Sequence, residues 1–278
     1  MLLRTLKNGA RALFAGRTPA AGSFPLEEEE RLNWLHARAG LERHQDILFE
    51  GVRVGAEPFA ALYRRCLQQT GTPLTPASAL RRFQSRFSLV QYFLHSLAIE
   101  GARAEVGVYR GATALLLAHA ARARDPAYRG RDLYLLDSFA GASESGAADL
   151  IPVREPGGAA RMHAFFPAGV SDTSPELVRG FFREFPEVEI VEGWIPQVFA
   201  SLPQTRWAFV HLDVTLHDPT LAALEYFHPR LARGGVIVVD GYGSPFCPGL
   251  KRAWDAYCAR HGLAFAVLAQ QQAVLFGT

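Results

Sequence analysis

Cysteine is scarce in this chain, and the three present, Cys66, Cys247 and Cys258, form no C-x-x-C pair. An odd number of thiols argues against a disulfide framework and fits reduced, buried cysteines in a cytosolic protein. Long hydrophobic runs are missing too, since none approaches the ~20 residues that a bilayer crossing requires. Neither sign of charge prevails: 29 Lys and Arg face 27 Asp and Glu, for a formal net charge of +2. Nucleic-acid binding would call for a basic face that this balance does not supply. What is abundant is apolar material. With 49% hydrophobic and 20% charged residues, a chain of 278 has ample core for one large α/β domain with an appendage, or for two smaller units.

Residues 1–26 carry Arg4, Lys7, Arg11 and Arg17 with no acid before Glu27. Organellar targeting segments share that composition, as do short amphipathic helices, for which Leu2, Leu3, Leu6, Leu13 and Phe14 would supply the packing face. Helical patterning runs over residues 27–70, with a second stretch at Pro58–Gln69 that stops at Thr70-Gly-Thr-Pro. A third, Ser78–Ala98, sets Leu80, Phe83, Phe87, Leu89, Val90, Phe93 and Leu94 on roughly one face. Residues 1–75 thus read as an N-terminal helical cap that also offers a homo-oligomer contact, and residues 76–278 as the main domain.

From Ala102 short apolar runs alternate with helical segments. The runs are Ala102–Val108, Asp132–Asp137, Val188–Glu192, Trp207–Asp213, Val236–Asp240, Leu263–Ala269 and Ala273–Gly277. Helical stretches at Ala112–Ala123, Ser174–Phe185, Thr220–Ala232 and Gly249–His261 separate most of them. Strands that alternate with helices imply a parallel sheet covered on both faces. Only Gln270-Gln-Gln joins the last two runs, too little for a crossover helix, so they are expected to form an antiparallel hairpin. Residues 138–173, rich in Gly, Ala and Pro, break the rhythm and read as a substrate lid or as a disordered insertion.

The segment Glu105-Val-Gly-Val-Tyr-Arg-Gly111 joins the first run to the helix at Ala112. Glycines at such a turn let a ligand approach the backbone, and the helix start presents unpaired N–H groups. The spacing E-x-G-x-x-x-G is not the G-x-G-x-x-G of dinucleotide sites, and it points towards S-adenosylmethionine rather than a pyrophosphate. Other polar groups converge on the same sheet edge: Asp137-Ser138, Glu192-Gly193-Trp194, His211 with Asp213, His217 and Asp218, and Asp240. Each also has a structural reading. Asp137 and Asp240 suit turn or helix caps, Trp194 and His211 suit core positions, and His217 suits a surface site near a helix start.

Taken together, Glu105–Gly111, Leu136-Asp-Ser-Phe139, Glu192-Gly-Trp194 with Pro196, Val210-His-Leu-Asp-Val214 and Gly234-Gly-Val-Ile-Val-Val-Asp240 resemble the macrocin O-methyltransferase family. Pro219–Phe227 and Pro248–Ala253 look like it as well, and the resemblance covers about residues 80–278. It implies the α/β fold of class I methyltransferases, a Rossmann-like seven-stranded sheet. It also implies S-adenosylmethionine as cofactor, a small hydroxylated natural product such as a sugar-bearing one as acceptor, and a cytoplasmic enzyme. Glu105, Gly107, Tyr109, Gly111, Asp137, Ser138, Glu192, Gly193, Trp194 and Asp213 would form the cofactor site, with Asp137 on the ribose.

Family members hold a divalent ion with acids after the fourth and fifth strands of the methyltransferase sheet. Their pattern after the fourth is His-Leu-Asp-x-Asp-Leu-Tyr, where this chain has Thr215 at the second acid and His217 at the Tyr. After the fifth strand two adjacent acids are usual, where this chain has Asp240-Gly241. Asp213 and Asp240 thus remain as ligands for Mg²⁺, which tolerates one or two carboxylates when water and substrate complete its shell. Asp213 and His217 are also the expected catalytic pair. If a helix starts here, they lie four apart on one face, and the carboxylate would orient the imidazole as a base. The rival reading is an S-adenosylmethionine-binding pseudoenzyme or a repurposed fold with a degraded metal site.

Overall fold

The computed structural model describes residue 49 and residues 51–74, 76–154 and 160–278, without the side chains of 76–80, 154 and 160. The expectations for residues 1–26 and for the helical start at 27 lie outside the described residues. The chain enters through β1 (Arg53–Val54) and β2 (Glu57–Pro58), a small antiparallel pair, and then forms α1 (Phe59–Thr70) and α2 (Pro76–Ser96). Gly71 in the left-handed region ends α1, so the stop expected at Thr70-Gly is the observed one.

The main sheet uses β3 (Ala102–Val106), β4 (Leu133–Asp137), β7 (Glu189–Glu192), β8 (Trp207–Leu212), β9 (Leu231–Asp240), β10 (Ala266–Leu268) and β11 (Gln272–Phe276). Their order is β10-β11-β9-β8-β3-β4-β7, seven strands, with β7, β4, β3, β8 and β9 parallel and β11 and β10 antiparallel. The terminal hairpin therefore forms as its short connection requires. β3 and β8 are buried along their whole length, as strands covered on both faces must be.

Helices α3 (Ala112–Arg124), α4 (Pro175–Phe181), α5 (His217–Phe227) and α6 (Pro248–His261) complete the fold. Two of these fall short of the sequence reading. The segment expected to be helical to Phe185 ends at Phe181, and the one expected to reach Ala232 ends at Phe227, before a 3₁₀ turn at His228–Arg230 around Pro229. Proline lacks the N–H that would continue the helix, and the chain from Leu231 is recruited into β9 instead.

Residues before the sheet share its core. Phe49, Phe59, Tyr63, Phe83 and Phe93 pack in one buried cluster with α3 and with Phe209 and Val238 of the sheet. Burial of each such ring contributes roughly 1.5–3 kcal/mol. The opposite face of the sheet is filled by Trp207, Phe227, Trp254 and Tyr257 against α5 and α6. The stretch 138–173 is not featureless: β5 (Leu150–Arg154) and β6 (Ala160–Ala164) form an antiparallel hairpin beside the main sheet's carboxyl edge. Among the described residues, no helix is long and apolar enough to cross a membrane.

Candidate active site

A cleft of about 800 Å³ opens at the carboxyl ends of β3, β4, β7, β8 and β9. Its floor is the glycine turn after β3. Gly107 has φ +87°, and a Cβ there would lie 2.5 Å from the Asp213 carbonyl oxygen, so only glycine fits between the two strand ends. Gly111, also at positive φ, is the N-cap of α3, whose first residues Ala112 and Thr113 line the cleft; Gly111 itself packs against Val178 and Phe182 and is not among the lining residues. Asp137 at the end of β4 holds this turn in place. Its Oδ2 accepts the N–H groups of Val108 at 2.7 Å and Tyr109 at 2.9 Å, and its Oδ1 accepts that of Phe139 at 2.8 Å. The capping reading of Asp137 is thus realised in geometry, and the residue also lines the cleft, with one of its roughly four acceptor sites left for a ligand.

Gly107, Tyr109, Asp137, Ser138, Gly193, Trp194 and Asp213 all line the cleft. Trp194 is 45% exposed, so it is an open platform and not a core residue. Glu192 sits at the exposed end of β7 and is not among the lining residues. Glu105 reaches the cleft only from below. It is buried, and its Oε1 lies 2.9 Å from Nδ1 of His211, because β3 and β8 pair in parallel with Glu105 opposite His211. Burial pushes the Glu105 carboxyl up, opposed by that imidazole. His211 feels the same burial, which favours its neutral form. Asp240, whose Oδ2 lies 3.7 Å from Nε2, and Glu105 outweigh it and raise the pKa to about 9.

The strand ends deliver Asp213 and Asp240 side by side, and a third residue lies between them. Arg86 of α2 donates from Nη2 to Asp213 Oδ2 at 3.0 Å and from Nη1 to Asp240 Oδ2. Its Nε donates to Thr113 Oγ1 of α3 at 2.8 Å. The other oxygen of Asp240 accepts from Gln272, its partner across the β9–β11 ladder. Burial works against the Arg86 charge, but Asp240 and Asp213 more than offset it and hold the guanidinium protonated. In turn, burial opposes the Asp240 charge, and Arg86 and His211 drive its pKa far below the usual carboxylate range.

Ligand atoms of His211, Asp213 and Asp240 all lie within 4.8 Å of one another, a spacing that suits a cation. The guanidinium is already the cation on both carboxylates. Arg86 takes one oxygen of Asp213 and one of Asp240, and Gln272 takes the second oxygen of Asp240, so a guanidinium already fills the place between the two carboxylates that a divalent ion would need.

His217 is not brought to Asp213. Residues 213–216 lie outside any helix and α5 begins only at His217, so the four-residue helical spacing assumed for the pair does not exist. The imidazole Nδ1 instead lies 2.7 Å from Asp218 Oδ1, and the His217 N–H donates to Asp149 Oδ1 at 2.7 Å. Asp149, from the hairpin region, thus serves the start of α5 and escaped the sequence reading. Arg86 escaped it as well, although a signal exists. Arg86 stands three residues from Phe83 and from Leu89, a charge inside an apolar helical stripe, and such a charge needs a buried partner.

Above the cleft, Phe165 of the hairpin region stacks on Phe246 with ring centroids 4.2 Å apart, and Phe166 meets Phe165 edge-on. These rings, with Trp194, give the open end of the cleft an aromatic lining.

Comparison with known proteins places this geometry among relatives. The sequence model described as macrocin-O-methyltransferase (TylF) matches residues 80–275. A Streptomyces olivaceus protein described as 8-demethyl-8-(2,3-dimethoxy-alpha-L-rhamnosyl)-tetracenomycin-C 4'-O-methyltransferase is 29% identical over 186 residues, 64% of this chain and 67% of its own length. Demethyldecarbamoylnovobiocin O-methyltransferase of Streptomyces niveus is 30% identical over 170 residues, 60% of this chain and 61% of its own. Among solved structures, the O-methyltransferase NovP superposes with a TM-score of 0.58 at 21% identity, covering 87% of this chain and 99% of its own.

Proposed function

From the premise that this chain belongs to the macrocin-O-methyltransferase family, whose members are S-adenosylmethionine-dependent O-methyltransferases, we propose that it methylates a hydroxyl on a small sugar-bearing natural product. The observation that carries the reading is the convergence of five parallel strand ends on one cleft, floored by a turn that only Gly107 can make. In the proposed complex the methionine part of the cofactor lies between Gly107, Tyr109 and the start of α3 at Ala112 and Thr113. The ribose meets Asp137 and Ser138, and the adenine meets Gly193 and Trp194. Glu105 acts from beneath, by fixing His211, and Glu192 contributes nothing directly.

Methyl transfer is a displacement at carbon. The acceptor oxygen attacks the methyl group, the sulfur–carbon bond breaks, S-adenosylhomocysteine leaves, and the hydroxyl proton must go to a base. Asp213 is the proposed base. It lines the cleft with its side chain 33% exposed, and its bond to Arg86 uses only one of its two oxygens. Positioning of the two reactants supplies most of the rate, and the base a further ~10²–10⁴-fold. The Streptomyces olivaceus relative, named for a rhamnosyl-bearing substrate, supports a sugar-bearing acceptor, as do Phe165, Phe166 and Phe246, whose rings suit the apolar faces of such molecules.

Mg²⁺ has no part in this reading, since Asp213 and Asp240, the residues that would hold it, carry Arg86. A cytoplasmic site of action and self-association through the N-terminal helices remain part of the proposal. Light scattering on the whole chain tests the latter, with self-association expected and a monomer counting against it. The enzymatic reading is tested by incubating the protein with methyl-labelled S-adenosylmethionine and a panel of demethylated glycosides. Label is expected in at least one acceptor hydroxyl. Cofactor binding without transfer to any acceptor would favour a binding protein on the same fold, a reading that Thr215 and Gly241 at the family's acid positions also suit.

A further inference from the structure

We infer that Arg86 is the resident cation of this site, standing where the family's divalent ion would bind, so that the chain's methyl transfer is independent of metal. The inference rests on the family reading for what the site does, and on this chain's own geometry for how the charge is supplied. Three elements converge to place the guanidinium. Its Nε is anchored on Thr113 of α3 at 2.8 Å, Nη1 bonds Asp240 at the end of β9, and Nη2 bonds Asp213 just past the end of β8 at 3.0 Å. Ser85 Oγ accepts a further, longer bond from Nη1 at 3.4 Å. The arginine side chain is 10% exposed and that of Asp240 13%, so their ion pair is shielded from solvent, while Asp213 at 33% keeps one side open to the cleft.

The composition of the site agrees. Where the family carries acids, this chain has Thr215 and Gly241. A site with fewer carboxylates has less need of a dication, and one guanidinium already spans the two that remain. Gln272 donates to the second oxygen of Asp240, so both oxygens of that carboxylate already hold hydrogen bonds that an ion would have to displace. A guanidinium offers hydrogen bonds and not a coordination bond, and it cannot be titrated away in the working range. It therefore fixes Asp213 permanently in the orientation that the acceptor meets. Arg86 acts through Asp213 and is a positioning residue. Proton removal stays with the free oxygen of Asp213.

The test is a Mn²⁺ titration of the full-length protein followed by the loss of the free-ion paramagnetic signal, with S-adenosylhomocysteine binding measured on the same samples by calorimetry. The wild type is expected to show no saturable site at millimolar Mn²⁺. Arg86→Ala, which frees both carboxylates, is expected to bind Mn²⁺ at least ~10-fold more tightly, and the added change Asp213→Asn to abolish the gain. Arg86→Lys, which keeps a cation, is expected to exclude the ion as the wild type does. A saturable Mn²⁺ site in the wild type that disappears in Asp213→Asn would overturn the inference, and that measurement does not depend on whether Arg86→Ala folds. Failure of the wild type to bind S-adenosylhomocysteine would instead count against the methyltransferase reading and leave the metal result to be read separately.

Discussion

Asp213 and His217 stand four residues apart, yet they have different surroundings and are expected to differ in their effect on catalysis. Asp213 faces the cleft and has one oxygen free, so Asp213→Asn should slow labelled-methyl transfer by about 10²- to 10⁴-fold while leaving S-adenosylhomocysteine affinity nearly unchanged. His217 bonds its neighbour Asp218 and is held through its backbone by Asp149, so His217→Ala should retain near-normal turnover. A hundredfold loss in that variant would restore the imidazole as the base. The contrast shows what the sequence makes legible at this scale. Asp137, Asp213 and Asp240 are readable because a strand end fixes where its next residue points. The pairing of His217 with Asp213 was not legible, because it depended on whether α5 starts before or after His217. Arg86 was hidden because its partners lie 127 and 154 positions along the chain.

At the scale of elements, α2 does more than cover the sheet. Its apolar stripe of Phe83, Leu89, Val90 and Phe93 is wholly buried, and Arg86 rides within it. The stripe sets the depth at which the guanidinium reaches Asp213 and Asp240. Phe83→Ala removes a ring packed against Phe59 and Tyr63 and should destabilise the fold by ~3–5 kcal/mol, measured by chemical denaturation. A loss below ~1 kcal/mol would mean that α2 is not locked to the core by this residue. Strand identity and the final hairpin were readable from apolar runs and connection lengths. The limits of α5 and β9 were not, because Pro229 and the pull of the growing sheet decide them together. The hairpin of β5 and β6 escaped as well, since a strand pair in a Gly- and Ala-rich stretch has little alternation to betray it.

Over the whole molecule, stability depends on pH through a half-buried histidine away from the cleft. His119 of α3 packs edge-on against Phe185 and next to Arg65. Burial first, and the Arg65 charge second, depress its pKa to about 4. An unfolded histidine titrates near 6.5, so between these values the unfolded chain takes up a proton that the folded chain refuses. Stability from this group is therefore complete above pH ~6.5 and is lost as the pH falls towards 4. The thermal midpoint should decline over that window in the wild type and decline less in His119→Phe. Equal slopes in the two proteins would remove His119 from the account.

The claim on which the rest depends is that the glycine turn between β3 and α3 cradles the methyl donor. Calorimetric titration of S-adenosylhomocysteine into the wild type and into Gly107→Val tests it most directly, with circular dichroism confirming that both are folded. The wild type should bind one equivalent, and the valine variant, whose side chain collides with the Asp213 carbonyl and the cleft floor, should show no binding. Equal affinity in the two folded proteins would contradict the account.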